Sequence, residues 1–226
     1  MFVLLLTLAA ALCVAVCVAV CVAGRYRAPR PYWPARTLPQ LRAFTPETQA
    51  RIRRELLSGA PPWIAWPERY LKGGDDWHVI PLFAFGTWLA PSALFPHTTS
   101  VLRRCEGMRT ALFSKLNPGT RLTPHHGYAC LSNRMLRCHV VLQCEARKSY
   151  LEVNGKRRYV SQGDVVVFDD SLLHTAGNEG GLPRFVLLVD FDRPRCVAPG
   201  TSPVEATTDE LVALCKEFGI PEARVG

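Results

Sequence analysis

Two histidines and an arginine pose the chemical question in this 226-residue chain. His125 stands in "TPHHGY" and His174 in "FDDSLLHTAG"; Arg184 opens the apolar run "RFVLLVDF". Two imidazoles can hold a redox metal. A guanidinium fork just beyond them can clamp the far carboxylate of a small diacid. The set points to oxygen chemistry at an iron site inside a β-barrel. Each residue also has an ordinary reading: a lone strand histidine is usually a satisfied structural group, and Arg184 could be a strand-edge charge. His126 is expected to turn away from His125 toward solvent, because neighbours on a strand alternate. His78 and His97 read as surface or packing groups.

Such residues must be carried by strands. In "MLRCHVVLQC" Leu136, Cys138, Val140 and Leu142 face one way, while Arg137, His139 and Val141 face the other. Arg137 and His139 therefore leave the apolar face together and enter the barrel. "WHVIPLFAFG", "RTALFSKL", "GDVVVFDDS" and "RFVLLVDF" also read as strands. "SYLEVNGKRRYV" is a hairpin whose Asn154-Gly155 pair suits a type I′ turn. Helices are expected only at the edges. One starts at Thr45-Pro46 and stops at Gly59. The other is "TTDELVALCKEFG", with Leu211, Val212, Leu214, Cys215 and Phe218 on one side and Gly219 as its cap. The fold class is mainly β, a double-sheet barrel.

Composition bounds the rest. An apolar share of 48% is enough for one core. Residues 2–23 carry no charge, and as a helix they would rise about 33 Å, enough to cross a bilayer. Nothing basic precedes them, which favours an uncleaved transmembrane anchor over a signal peptide. The expected organisation is an anchor over 1–24, a Pro/Arg-rich linker over 25–43 and one domain over 44–226. Cys13, Cys17 and Cys21 share a helix face and read as packing residues. Arg25, Arg27, Arg30 and Arg36 follow the anchor, which by the positive-inside rule leaves the domain in the cytosol. Cys105, Cys130, Cys138, Cys144, Cys196 and Cys215 lack any Cys-x-x-Cys spacing, which argues against a zinc ribbon and leaves disulfides open. The net charge of +8 is partly juxtamembrane, where basic residues meet lipid headgroups. No basic motif is interleaved with aromatics, so no nucleic-acid partner is expected.

The stretch from Phe95 to Pro194 resembles the aspartyl/asparaginyl β-hydroxylase family of Fe(II)- and 2-oxoglutarate-dependent dioxygenases. The matching text is "FPHTTSVLRR", "FSKLNPGTRLTPHHG", "NRMLRCHVVL", "VSQGDVVVFDDSLLH" and "PRFVLLVDFDRP", with weaker similarity upstream in "WPERYLKGGDDWHVIPLF". The resemblance implies a double-stranded β-helix (jelly-roll) with flanking helices. It implies His125 and His174 as metal ligands and Arg184 on the distal carboxylate of 2-oxoglutarate, joined by the Ser114 hydroxyl. Arg137 and His139 would contact the metal-proximal carboxylate. Most such sites add an acid two residues after the first histidine. Here that residue is Gly127, as in the eukaryotic protein-hydroxylating members. Asp169 and Asp170 read as orienters of the second histidine or as turn caps. "YACLS" after Gly127 is slightly longer than usual for the family.

The implied cofactors are Fe(II), 2-oxoglutarate and O2, and the implied reaction is hydroxylation of Asp or Asn β-carbons in a protein substrate. One alternative is a lipid acyl-chain hydroxylase of the same family, against which Gly127 counts. Another is a non-catalytic jelly-roll binding module, motivated by the missing acid. The endoplasmic reticulum membrane is the expected location. The face is left open, since the family's protein hydroxylases face the lumen and the arginines argue for the other side.

Overall fold

A computed structural model describes residues 30–59, 61–71 and 76–220. The expected anchor, residues 1–24, lies outside the described residues, among which no helix is long and apolar enough to cross a membrane. Eleven strands are described: β1 (Tyr32–Trp33), β2 (Ile64–Ala65), β3 (Trp77–Ala84), β4 (Thr87–Trp88), β5 (Met108–Leu116), β6 (Met135–Gln143), β7 (Ser149–Val153), β8 (Lys156–Val160), β9 (Val165–Phe168), β10 (His174–Asn178) and β11 (Arg184–Asp192). The larger sheet runs β1-β9-β6-β11-β5-β3-β2, with β4 paired to β3, and the smaller runs β10-β7-β8. Bridges Arg121↔Gly177 and His125↔His174 lay residues 121–125 along β10 and give the small sheet a partial fourth strand. Asn154 and Gly155 both have positive φ, as the type I′ hairpin requires.

Alternation along the strands decides what lies on each side. On β11 Phe185, Leu187, Val189 and Phe191 join an outer core with Leu136, Cys138, Val140 and Leu142 of β6. Helix α1 (Pro46–Leu57) and helix α2 (Pro96–Leu102) cover that face through Ile52, Leu56, Val101 and Leu102. Val186 and Leu188 of β11 join an inner core with Leu151, Val153 and Ala176 of the small sheet. The two sheets thus face each other as in a jelly roll. Arg184, Asp190, Arg137 and His139 share the inward side of their strands.

Local chemistry sets the helix ends. Thr45 caps α1 by accepting from the Thr48 N–H, with Pro46 in the first turn. Helix α3 (Asp209–Glu217) is capped by Thr208, and Gly219 beyond it has φ +68. Helix α2 was not expected from the sequence. Its Thr-Thr-Ser centre has low helix propensity, and what holds it is tertiary. Glu55 of α1 accepts from the N–H groups of His97 (2.7 Å) and Thr98 (2.8 Å) and from the Thr98 hydroxyl (2.6 Å).

The linker assignment is corrected for residues 31–43, which belong to the domain. Tyr32 and Trp33 pair with Phe168 and Val167 of β9. Two short 3₁₀ turns follow, Ala35–Thr37 and Pro39–Ala43, and Leu38 and Leu41 are buried in the outer core. Their prolines preset φ for tight turns that here pack against the barrel.

Candidate functional site

His125 and His174 lie opposite each other across the small sheet. His125 N–H donates to the His174 carbonyl (2.9 Å) and His174 N–H returns the bond (2.8 Å), which sets the ring centroids 4.4 Å apart. Each ring is then fixed by its own backbone. His125 Nδ1 meets the Thr123 carbonyl at 2.7 Å, and His174 Nδ1 meets that of Leu172 at 2.9 Å. Both Nδ1 atoms must carry the proton to donate, which leaves both Nε2 lone pairs for a ligand role. Burial lowers the His125 pKa to about 4, with the Arg137 charge adding to it. Burial, His125 and Arg137 hold His174 well below its ordinary value. Both rings are therefore neutral near pH 7, the form that binds metal.

The acid missing at position 127 has a physical counterpart. A Cβ built on Gly127 would overlap the Asp170 carboxylate. Asp170, from the turn before β10, thus fills the space that an acid at 127 would need. Its Oδ1 lies 3.4 Å from His174 Nε2 and 2.6 Å from Arg137 Nη1. Burial raises its carboxyl pKa, with Arg137 opposing. Asp169 does something different: it accepts from Ser171 N–H and Oγ and from Arg193, and so holds the turn. Among the described residues no three His, Cys, Asp or Glu side chains form a metal-holding group. The set consists of two imidazoles with one carboxylate poised beside the second.

At the other end of the cavity Arg184 is 2% exposed, and no carboxylate pairs with it among the described residues. Its Nη2 reaches His139 Nδ1 at 3.4 Å, and its buried Nε has no partner among the described residues. Burial lowers its pKa to about 10. An unpaired buried cation costs several kcal/mol, so this position calls for an anion. Ser114 faces the same side, because Val186 pairs with it two residues after Arg184. Its oxygen accepts from Trp77 Nε1 at 3.0 Å, leaving its own O–H to donate. Burial, then Arg184 and Arg137, keep His139 neutral.

Ser114, His125, Arg137, His139, His174 and Arg184 all line one cavity. All six residues singled out from the sequence are therefore brought together. The residues present fit a divalent metal at the imidazoles and a diacid reaching Arg184. Arg137 carries more structure than the sequence disclosed: its Nε and Nη2 hold Asp190 (2.7 and 2.9 Å), and its Nη1 holds Asp170. Asp190 was missed, although its place two residues after Leu188 on the inward side of β11 was a readable signal. His78 and His97 stay outside this cavity.

Beyond the imidazoles a cleft of about 780 Å³ opens between Glu68, Tyr70, Tyr128, Leu173, Val204 and Leu211. His126 also lines it, with Nδ1 2.8 Å from the Ser171 carbonyl. Its ring is half-buried on the cleft wall and outside the cavity shared by His125, His174 and Arg184, as expected of a residue turned away from the ligand pair.

Residues 47–194 match the family described as Aspartyl/Asparaginyl beta-hydroxylase, and the chain belongs to that family. It is similar to the mouse "Aspartate beta-hydroxylase domain-containing protein 2", 38% identical over an alignment of 107 residues that covers 43% of this chain and 29% of that protein. It is also similar to the "Ornithine lipid ester-linked acyl 2-hydroxylase" of Rhizobium tropici, 32% identical over 156 residues, covering 66% of this chain and 54% of that one. The chain thus spans less than two thirds of either relative. Among solved structures, a Burkholderia pseudomallei oxidoreductase of the 2OG-Fe(II) oxygenase family aligns over 76% of this chain and 94% of its own, with 16% identity and a TM-score of 0.48.

Proposed function

We propose that the protein is an Fe(II)- and 2-oxoglutarate-dependent hydroxylase. The observation that carries this is the buried, carboxylate-free Arg184 in one cavity with two neutral imidazoles. His125 and His174 would hold iron through Nε2, and Arg184 with Ser114 would bind the distal carboxylate of 2-oxoglutarate. Arg137 and His139 would meet its other end. With O2, the bound iron and co-substrate supply the oxidising power to hydroxylate an unactivated carbon. The chain's own work is binding and positioning. Trp77 orients the Ser114 hydroxyl, Asp190 anchors Arg137, and the apolar walls exclude water that would weaken the Arg184 pairing.

The family description suggests a peptidyl Asp or Asn β-carbon as target, and the bacterial relative's name suggests an acyl chain. The cleft bears on the choice. Among its described lining residues, Glu68 is acidic and Arg137 of the adjoining pocket is engaged by Asp170 and Asp190. An aspartyl carboxylate would find no free guanidinium or ammonium group there. A neutral target, asparaginyl or acyl, does not need one. An anchor over 1–24 would tether the protein to a membrane, which we take to be that of the endoplasmic reticulum. Protease protection in sealed microsomes would read the face.

The test of the chemistry is succinate formation and iron-dependent binding of 2-oxoglutarate. Wild type should show both, and Arg184→Ala should weaken binding by roughly 30-fold or more, the equivalent of about 2 kcal/mol for a charge-assisted pair. Equal binding by the two proteins, or a wild type as inert as His174→Ala, removes the reading.

A further inference from the structure

We propose that Glu68 is a positioning residue for the co-substrate: it fixes Trp66, through Trp66 it fixes Trp77, and so it aims the Ser114 hydroxyl at the diacid beside Arg184. The inference rests on the hydroxylase reading and adds a residue to its co-substrate site. Strand pairing builds the middle of the chain. Ile64 and Ala65 of β2 pair with Val79 and His78 of β3, and the Trp66 N–H donates to the Trp77 carbonyl at 3.0 Å. The two indoles therefore stack, with centroids 4.5 Å apart and planes inclined by 19°, and both are buried in the inner core.

Val79 also pairs with Ser114 of β5. Trp77, two residues before Val79, projects from the same side of β3, and its Nε1 donates to Ser114 Oγ at 3.0 Å. Stacking by itself leaves two flat rings free to slide. The indole N–H groups remove that freedom at both ends of the pair. Trp77 is held by Ser114, and Trp66 Nε1 donates to Glu68 Oε2 at 3.0 Å. Trp77 joins the two regions: it lines one pocket with Glu68, Trp66 and His125, and lines the co-substrate cavity with Ser114 and Arg184.

The simpler reading is that Glu68 only tethers α3. It is buried, and among the described residues no cation pairs with it. Taking a carboxylate out of water is costly, and its hydrogen bonds must offset that cost. Two of them go to Oε1, from the Tyr70 hydroxyl (3.1 Å) and from the Thr208 hydroxyl at the start of α3 (2.8 Å). A tether accounts for Oε1 alone. The other oxygen faces the indole, where the charge on the acceptor makes the bond about twice as strong as a neutral one. That strength is what holding a stacked ring in one place requires.

The experiment compares two keto acids binding to the full chain with Fe(II) under anaerobic conditions. One is 2-oxoglutarate; the other is 2-oxobutanoate, which lacks the distal carboxylate that Ser114 meets. Glu68→Ala and Trp66→Phe should each weaken 2-oxoglutarate binding by roughly three- to tenfold, the loss expected for one hydrogen bond. Both should bind 2-oxobutanoate as wild type does, which also shows that they fold. Glu68→Gln keeps an acceptor oxygen and should stay within about twofold of wild type. Thr208→Val, which frees the start of α3, should leave 2-oxoglutarate binding unchanged. In the metal-free protein the circular dichroism of the stacked indoles should be lost in Glu68→Ala and kept in Thr208→Val. Wild-type 2-oxoglutarate binding by Glu68→Ala overturns the proposal. So does an equal loss of both keto acids, or a Thr208→Val variant that reproduces the Glu68→Ala loss. Failure of the hydroxylase reading shows differently, as 2-oxoglutarate binding insensitive to Arg184→Ala.

Discussion

Gly127 and Asp170 form one arrangement, because the backbone of the first is approached by the carboxylate of the second. An acid introduced at 127 would collide with the acid already there. Gly127→Asp alone should therefore destabilise the fold by about 2 kcal/mol or more and weaken Mn(II) binding, used as a redox-stable probe. Gly127→Asp with Asp170→Gly should recover both, measured by melting temperature and calorimetry; a double variant no better than the single one would refute the shared-space argument. Arg184 gives the complementary case. Without a ligand it is a buried charge lacking a counter-ion, so Arg184→Met should raise stability of the apo-protein by about 1–4 kcal/mol. Saturating 2-oxoglutarate with metal should raise the wild-type melting temperature by roughly 5–10 °C and leave Arg184→Met unmoved. The six cavity residues were legible in the sequence because the family resemblance selects all six. Strand alternation adds independent support for Arg137 and His139, metal and diacid chemistry for His125, His174 and Arg184, and Ser114 rests on the resemblance alone. The inward turn of Asp170 was not legible. It sits in an irregular turn beside Asp169, where no period says which of two adjacent acids faces the metal ligands and which holds Ser171 and Arg193.

The strands were legible for a related reason: a sheet buried on both faces still alternates when one face is lined by Arg137, His139, Arg184 and Asp190. The segment before α1 misled, because proline-rich sequence reads as an extended spacer. Its information lies in the residues between the prolines. Tyr32 adds a strand beside β9, and its hydroxyl donates to the Leu151 and Lys156 carbonyls of the small sheet. One residue thus ties the two sheets together at the barrel's edge. Leu38 and Leu41 close the outer core over the same sheet. Leu38→Ala should cost about 2–5 kcal/mol, the usual range for a buried leucine. A domain started at residue 44 should melt well below one started at residue 30. Equal melting temperatures would return the segment to the status of a spacer. Helix α2 follows the same lesson, since its stability comes from Glu55 on another helix and no local pattern announces it.

At the scale of the molecule, closing two sheets over a largely apolar interior imposes a pH dependence whose sign follows from the protonation of three imidazoles. His125, His139 and His174 all have lowered pKa values, chiefly through burial; that of His125 falls to about 4. In the unfolded chain each takes up a proton near the ordinary value of about 6.5. Between that value and the folded one the unfolded state binds more protons, so stability rises with pH across the window. Conversely, it is lost as pH falls from about 6.5 toward 4. Each pKa unit is worth about 1.4 kcal/mol, so the metal-free protein should lose on the order of a few kcal/mol on acidification, seen as a falling melting temperature. His139 can be separated from the other two because its ring meets Arg184 and, among the described residues, neither ring nitrogen is given to a backbone carbonyl. His139→Asn removes a group that must charge, and should therefore flatten the acid limb while leaving the plateau above pH 7 in place. A variant with an unchanged acid limb, or a wild type whose melting temperature stays level through the window, would show that water reaches the interior and that these rings titrate as exposed ones do.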